Sequence, residues 1–155
     1  MNFIVKNAEN IHLKEIREIA DSVFGKNYLT PCTKNTIVVI LNEIVCGFAY
    51  YELNKEVGIL KTIAVKKDCQ KKGIGSLLLI EVEKRLSDVK KILVPTWKDD
   101  EGINLEKLLI KYGYRKTIEV IDFWKKDCDD KKFLCVSRKD ECVCYSVIFE
   151  KHLYS

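Results

Sequence analysis

The chain has no apolar run approaching the roughly 20 residues that a helix needs to span a bilayer, so no membrane-spanning helix and no membrane partner are expected. Its opening, "MNFIVKNAENIHLKEI", lacks the basic, apolar and cleavage regions of a secretory signal, which makes a cytoplasmic location the expectation. There is no internal repeat, no low-complexity tract and no Pro/Gly-rich linker. At 155 residues, one domain over 1–155 is therefore expected. One methionine and a single glutamine, Gln70, stand against abundant Lys and Glu, a compositional lean toward thermophile proteins. Charge of one sign is also scarce: the net charge of +4 favours anionic partners in general and is too small to argue for nucleic acid. What is present is an ordinary globular composition, 47% hydrophobic and 32% charged. Seven cysteines run against the thermophile lean.

Periodicity supplies the elements. Residues 3–8 form a strand. Ile16, Ile19, Ala20 and Val23 mark one buried helix face, with Asn10 as its cap. The stretch 24–35 holds no sustained period and predicts an irregular connection with one helical turn. Strands at 36–41 and 44–53 make a hairpin around Asn42–Glu43, and a turn at Asn54–Lys55 leads into a strand at 56–65. From Gly73 the period changes: Ile74, Leu77, Leu78, Val82 and Leu86 share a helical stripe. A strand at 90–97 contains Pro95, which cannot donate to a ladder. A helix over 103–114 is stopped by Gly113. Strands at 117–124 and 144–153 close the chain. This β-α-β-β-β-α-β-α-β-β order predicts an α/β chain with a mixed sheet and helices on its faces.

The stretch "CQKKGIG" (69–75) lies between a strand and a helix. The first N–H groups of a helix lack internal partners and carry partial positive charge, so an anion, a phosphate above all, is their natural ligand. Gly73 and Gly75 let such a ligand approach the backbone, and Lys66, Lys67, Lys71 and Lys72 add charge around the turn. A bare G-x-G also closes ordinary βα turns. Two nucleotide motifs are excluded. The residue three past Gly75 is Leu78 rather than the third glycine of a dinucleotide fingerprint, and no G-x-x-x-x-G-K-[ST] loop occurs.

"LKTIAVKKDCQKKGIGSLLLIEVEKRL" (60–86) resembles the central motif of the GNAT N-acetyltransferases, [QR]-x-x-G-x-[GA] after a strand ending in -x-V, with Gln70, Gly73 and Gly75 in the motif positions after "TIAV". The element order is similar to that family's fold over nearly the whole chain. The resemblance implies a mixed, mostly antiparallel sheet of about six or seven strands, splayed in the middle for CoA, with Pro95 at the gap. It implies acetyl-CoA as co-substrate, held by Ile63, Ala64, Val65, Gln70, Lys71, Lys72, Gly73, Ile74, Gly75, Ser76 and Asn104. The acceptor would be a small-molecule, peptide or protein amine, with segment 24–35 shaping its site. Tyr28, Tyr50, Tyr51 and Trp97 are candidate pocket residues that serve equally as core. A homodimer through edge strands is compatible.

Acetyl transfer needs a neutral amine, a polarised thioester carbonyl and a proton for the departing thiolate. The family often places a tyrosine four residues before a Gly-aromatic pair, here Gly113–Tyr114, and that position is Leu109. Tyr112 is a candidate acid, about 60° around the helix from 109, and otherwise a packing residue. The usual acidic base is replaced by Gly58 and Lys61. Among the carboxylates Glu52, Glu56, Asp99 and Asp122, Glu52 is the candidate kept. Catalysis by positioning alone needs none of them.

Cys128, Cys135, Cys142 and Cys144 fall in the last 28 residues and could make a structural zinc site, though C-x6-C-x6-C-x-C is not a zinc-ribbon spacing. Free thiols and a disulfide are the alternatives. Some GNAT-like proteins end in C-P-x-C-G-x-P-C-x-C before a strand. Cys135, Cys142 and Cys144 fit that resemblance, with Arg138 in place of the second cysteine. Cys32, Cys46 and Cys69 read as isolated thiols, and His12 and His152 suggest no site. Two rival readings stand beside the acetyltransferase: a non-catalytic acyl-CoA sensor of the same fold, and a zinc-stabilised interaction module.

Overall fold

The structure is a computed structural model that describes residues 2–26, 29–99, 102–103, 105–121, 134–135 and 145–153. Its elements are β1 (Ile4–Asn7), α1 (Leu13–Val23), β2 (Gly25–Lys26), β3 (Thr36–Leu41), β4 (Ile44–Asn54), β5 (Val57–Val65), α2 (Ile74–Arg85), β6 (Lys91–Asp99), β7 (Gly102–Ile103), α3 (Glu106–Lys111), β8 (Arg115–Ile121), β9 (Leu134–Cys135) and β10 (Tyr145–His152). Seven strands form a sheet in the order β1-β3-β4-β5-β6-β10-β8, with β7 added to β6. The strands alternate their buried side chains between two cores. Ile37 and Val39 join α2 and Leu109 of α3 on one face, while Val38, Phe48 and Ala64 meet Ile16, Ile19 and Ala20 of α1 on the other. This is the mixed sheet with flanking helices that the pattern predicts, mostly antiparallel as the resemblance implies.

Among the described residues only one neighbouring pair of strands is parallel. β5 and β6 match at Val57–Lys91, Gly58–Ile92 and Ile59–Leu93 and nowhere beyond. Both strands continue, to Val65 and Asp99, so they diverge from Leu60 onward and leave a gap in the sheet. Pro95 lies past the last paired residue of β6, opposite Ile148 of β10, where its missing N–H leaves no broken bond toward β5.

Several boundaries differ from the sequence expectation, each for a local reason. Asn10 does not cap α1. Residues 10–12 form a 3₁₀ turn, in which the Glu9 N–H donates to His12 Nδ1 at 2.9 Å and the His12 N–H donates to the Glu9 carbonyl at 2.9 Å. The second hairpin turns on Lys55 (φ +56), one residue later than expected, because Asn54 still pairs with Val57. Within 24–35, Gly25–Lys26 is extended rather than helical and pairs with Leu134–Cys135. α3 starts at Glu106, not 103. Gly102–Ile103 pairs with β6, and Leu105 enters the helix with φ +71. Its end is as expected: Gly113 has φ +89, its N–H donates to the Ile110 carbonyl, and the Tyr114 N–H reaches back to the Leu109 carbonyl, a Schellman cap.

Candidate functional site

The gap is lined on one side by β5. The Lys66 N–H donates to the Cys46 carbonyl at 2.8 Å, so Lys66 faces β4. Backbone direction alternates along a strand, which turns the N–H and C=O of Ile63 and Val65 the other way, into the gap. Ile63 and Ala64 are buried and Val65 is half-buried. On β5 the register slips between Tyr50–Thr62 and Tyr51–Leu60, making Lys61 the extra residue of a bulge just before this stretch.

The glycine loop adjoins the same gap. Gln70 Nε2 donates to the Val65 carbonyl at 3.2 Å, so the chain's single glutamine ties the loop to the strand end. Gly73 caps α2 with φ +80, a conformation that L side chains adopt at a cost, and a Cβ built there meets nothing within 4 Å. The space over Gly73 is open. The first main-chain bond of α2 runs from the Leu77 N–H to the Gly73 carbonyl at 3.1 Å, leaving the N–H groups of Ile74, Gly75 and Ser76 with no acceptor four residues back. The Gly73 position brings no side-chain cap to them. Gly75 acts differently. A Cβ there would meet Leu108 Cδ2 at 3.3 Å, so this glycine lets α3 close onto α2. Lys67, Lys71 and Lys72 are exposed around the loop and Lys66 is half-buried. Basic charge, helix dipole and undirected donors converge on one open spot, which is the chemistry of an anion site.

Tyr112 lies elsewhere. It lines a hollow with Ile80, Glu83, Lys84, Ser87 and Leu153, at the C-terminal end of α2 and about one helix length from Gly73. Leu109, in the position expected for an acid, is a buried core residue. Glu52 sits on β4 opposite Ile59, the last residue of β5 that pairs with β6, and accepts a hydrogen bond from the Tyr50 hydroxyl at 2.9 Å. Burial first, and then this bond to Glu52, push the Tyr50 phenol up to about 12. Glu56 is exposed and paired with Lys90 at 3.0 Å, and Tyr51 belongs to the core. Trp97 and Asp99 are described only as residues of β6.

Tyr28, Asn104, Asp122, Cys128, Cys142 and Cys144 lie outside the described residues, and Cys135 is described only as a strand residue opposite Gly25. Among the described residues no group of three or more His, Cys, Asp or Glu could hold a metal ion, so the structure lends the zinc expectation no support. No helix among them is long and apolar enough to cross a membrane. Sequence reasoning missed two juxtapositions, Tyr50 with Glu52 and Cys46 with Cys69. The first had a signal, the i, i+2 spacing that puts both side chains on one face of a strand. The second joins residues 23 apart and had none.

A sheet that splays beside a glycine-capped helix defines the acyltransferase-like architecture. Residues 33–116, more than half of the chain, match the acetyltransferase (GNAT) domain family, and the chain belongs to it. No curated protein matches it by sequence. Solved structures resemble it in fold. The IAA acetyltransferase from Bacillus cereus has a TM-score of 0.75 at 19% identity, over 98% of this chain and 100% of that one. The ribosomal-protein-S18-alanine N-acetyltransferase from Escherichia coli has 0.73 at 13%, over 99% and 96%. Naa50 of Arabidopsis thaliana, in complex with the bisubstrate analogue CoA-Ac-MVNAL, has 0.71 at 15%, over 97% and 99%. At these identities the likeness is one of fold.

Proposed function

We propose that the protein is an N-acetyltransferase that uses acetyl-CoA to acetylate a primary amine, on a small molecule or a peptide. The observation that carries the reading is the junction of two features. The open, uncapped donors over Gly73 sit at the end of the strand whose Ile63 and Val65 groups face the β5–β6 gap, and Gln70 ties the two together. A pyrophosphate fits the first feature, taking N–H groups of residues 71–76 with Lys71 and Lys72 beside it. An extended, amide-bearing arm fits the second, because unpaired strand groups take up such chains as an added strand.

When bound, acetyl-CoA supplies an acyl thioester, and the C–N bond forms as the C–S bond breaks. The chain's own part is electrostatic and positional. The N–H groups of Ile63 and Val65 point to where charge develops on the carbonyl oxygen. The amine gives up a proton, which water can accept before attack, and the leaving sulfur takes one up. Tyr112 has no part in this reading, given its distance along α2. Glu52, held by Tyr50 on β4 one strand away from the gap, is the carboxylate proposed to attract the protonated amine. That Naa50, of similar fold, was captured with an analogue joining CoA to a peptide supports a peptide amine as one class of acceptor.

Calorimetric titration of acetyl-CoA into the wild-type protein and into a Gly73→Glu variant tests the reading. Micromolar binding in the wild type and its loss in the variant are expected, because the carboxylate fills the open space with like charge. Release of free thiol in the presence of a panel of primary amines then reports turnover. No binding by the wild type would sink the proposal. Binding without turnover on any amine would make the chain an acyl-CoA sensor.

A further inference from the structure

Cys46 and Cys69 are brought together by the fold. Cys46 belongs to the buried core on the α2 face, and Cys69 is partly buried and packed against that core. The backbone fixes the approach. The Cys46 carbonyl takes the Lys66 N–H at 2.8 Å, and the 3₁₀ turn Lys67–Cys69 folds straight back, with the Cys69 N–H on the Lys66 carbonyl at 2.9 Å. The two thiols differ in access: Cys46 is 2% exposed, whereas Cys69 is half-buried. Both are free. Burial first, and then the neighbouring Cys69, push the Cys46 thiol up to about 11. At neutral pH it is held almost wholly as the thiol and out of contact with solvent, so it is not the group that a peroxide meets first.

We propose that Cys46 and Cys69 are an oxidant-sensitive pair that closes to a disulfide when the protein meets a hydroperoxide. The accessible Cys69 sulfur attacks the peroxide oxygen, breaking the O–O bond and giving Cys69 sulfenic acid with release of water. The Cys46 sulfur then attacks the Cys69 sulfur, its proton leaving with the hydroxyl as a second water. Two thiols and one hydrogen peroxide thus become one disulfide and two waters, the sulfurs oxidised and the peroxide reduced. The buried, high-pKa Cys46 is a poor leaving group in the reverse exchange, which slows reduction by a thiol that attacks the accessible Cys69 sulfur. The link ties β4 to the turn that leads directly into Gln70 and the glycine loop. The modification itself does not depend on the acetyl-CoA reading.

The test is peptide mapping of the full chain after brief treatment with hydrogen peroxide, alkylation and tryptic cleavage. Cleavage at Lys34, Lys55, Lys67 and Lys71 puts Cys46 in the peptide 35–55 and Cys69 in the peptide 68–71. The expected result is a cross-linked pair of these two peptides, lighter by two hydrogens than their sum and abolished by reduction. A Cys69→Ser variant should show Cys46 fully alkylated after denaturation, unchanged by peroxide, and a Cys46→Ala variant should carry Cys69 to sulfinic acid. The proposal is overturned if the wild type gives Cys69 as sulfinic acid, or bonded to any cysteine other than Cys46, with peptide 35–55 unlinked.

Discussion

Tyr114 carries its hydroxyl into the core on the α2 face, where the residue is 2% exposed and the oxygen has no hydrogen-bond partner among the described residues. The Lys151 ammonium lies 5.6 Å from the ring centroid and is held by Glu83 at 3.0 Å, so the cation meets the ring and not the hydroxyl. An unpaired buried hydroxyl is a standing cost. Tyr114→Phe should therefore raise stability, by about 1 kcal/mol, read as a higher urea midpoint at unchanged slope. The same burial, with the Glu83 charge, holds the Tyr114 phenol above its ordinary value of 10, and Tyr50 is pushed up to about 12. A raised phenol keeps its proton longer in the folded than in the unfolded chain. Its contribution is intact below pH 10 and is lost as pH rises through the folded pKa, so stability should fall with pH above about 10. Tyr50→Phe should flatten that fall between about pH 10 and 12. An unchanged slope would show that Tyr50 titrates normally. None of this was legible in the sequence, where Tyr114 is half of a Gly-aromatic pair and its surroundings come from residues 31 and 37 positions away.

At the scale of elements, the helices and strands were readable because their buried faces repeat at 3.6 or 2 residues. What failed was local. The stretch 103–105 has helical apolar spacing, yet pairing with β6 and the positive φ of Leu105 take precedence over it. Asn10 reads as a cap, yet the reciprocal Glu9–His12 bonds offer the backbone a 3₁₀ turn first. The contact of α2 with the sheet was not readable either. Gly47 of β4 lies under it, and a Cβ there would meet the Ala64 carbonyl at 2.9 Å, Ile74 Cγ2 at 3.1 Å and Leu78 Cδ1 at 3.3 Å. Backbone on one side leaves little room to yield. Gly47→Val should destabilise by about 1–3 kcal/mol in chemical denaturation. Because Ile74 opens the helix that Gly73 caps, the variant should also weaken acetyl-CoA binding. A variant as stable as wild type would mean that α2 can slide away from β4 freely.

For the whole molecule, the modest net charge of +4 conceals an uneven surface. Lys66, Lys67, Lys71 and Lys72 crowd one turn, while the ion pairs Lys6–Glu9, Lys90–Glu56 and Lys151–Glu83 are spent elsewhere. If this crowd steers a polyanionic ligand to Gly73, its Kd should rise several-fold between about 0.05 and 0.5 M salt, because exposed charges are screened beyond the Debye length. Calorimetry across that range reads the effect. An affinity indifferent to salt would assign the binding to backbone donors alone.

The sequence by itself determined the order of the longer helices and strands and the mixed sheet, and it marked the glycine loop as the place where a phosphate is proposed to settle. These follow from periodicity, turn chemistry and a short motif, all of which act between near neighbours. The tertiary structure decided that β5 and β6 part after three residues, that Gln70 fastens the loop to the edge of that opening and that Tyr112 stands at the far end of α2. It also decided that Cys46 and Cys69 pack into the same core. Such contacts depend on register and on which helix covers which face. Those are settled only when the apolar surface of the entire chain is buried at once.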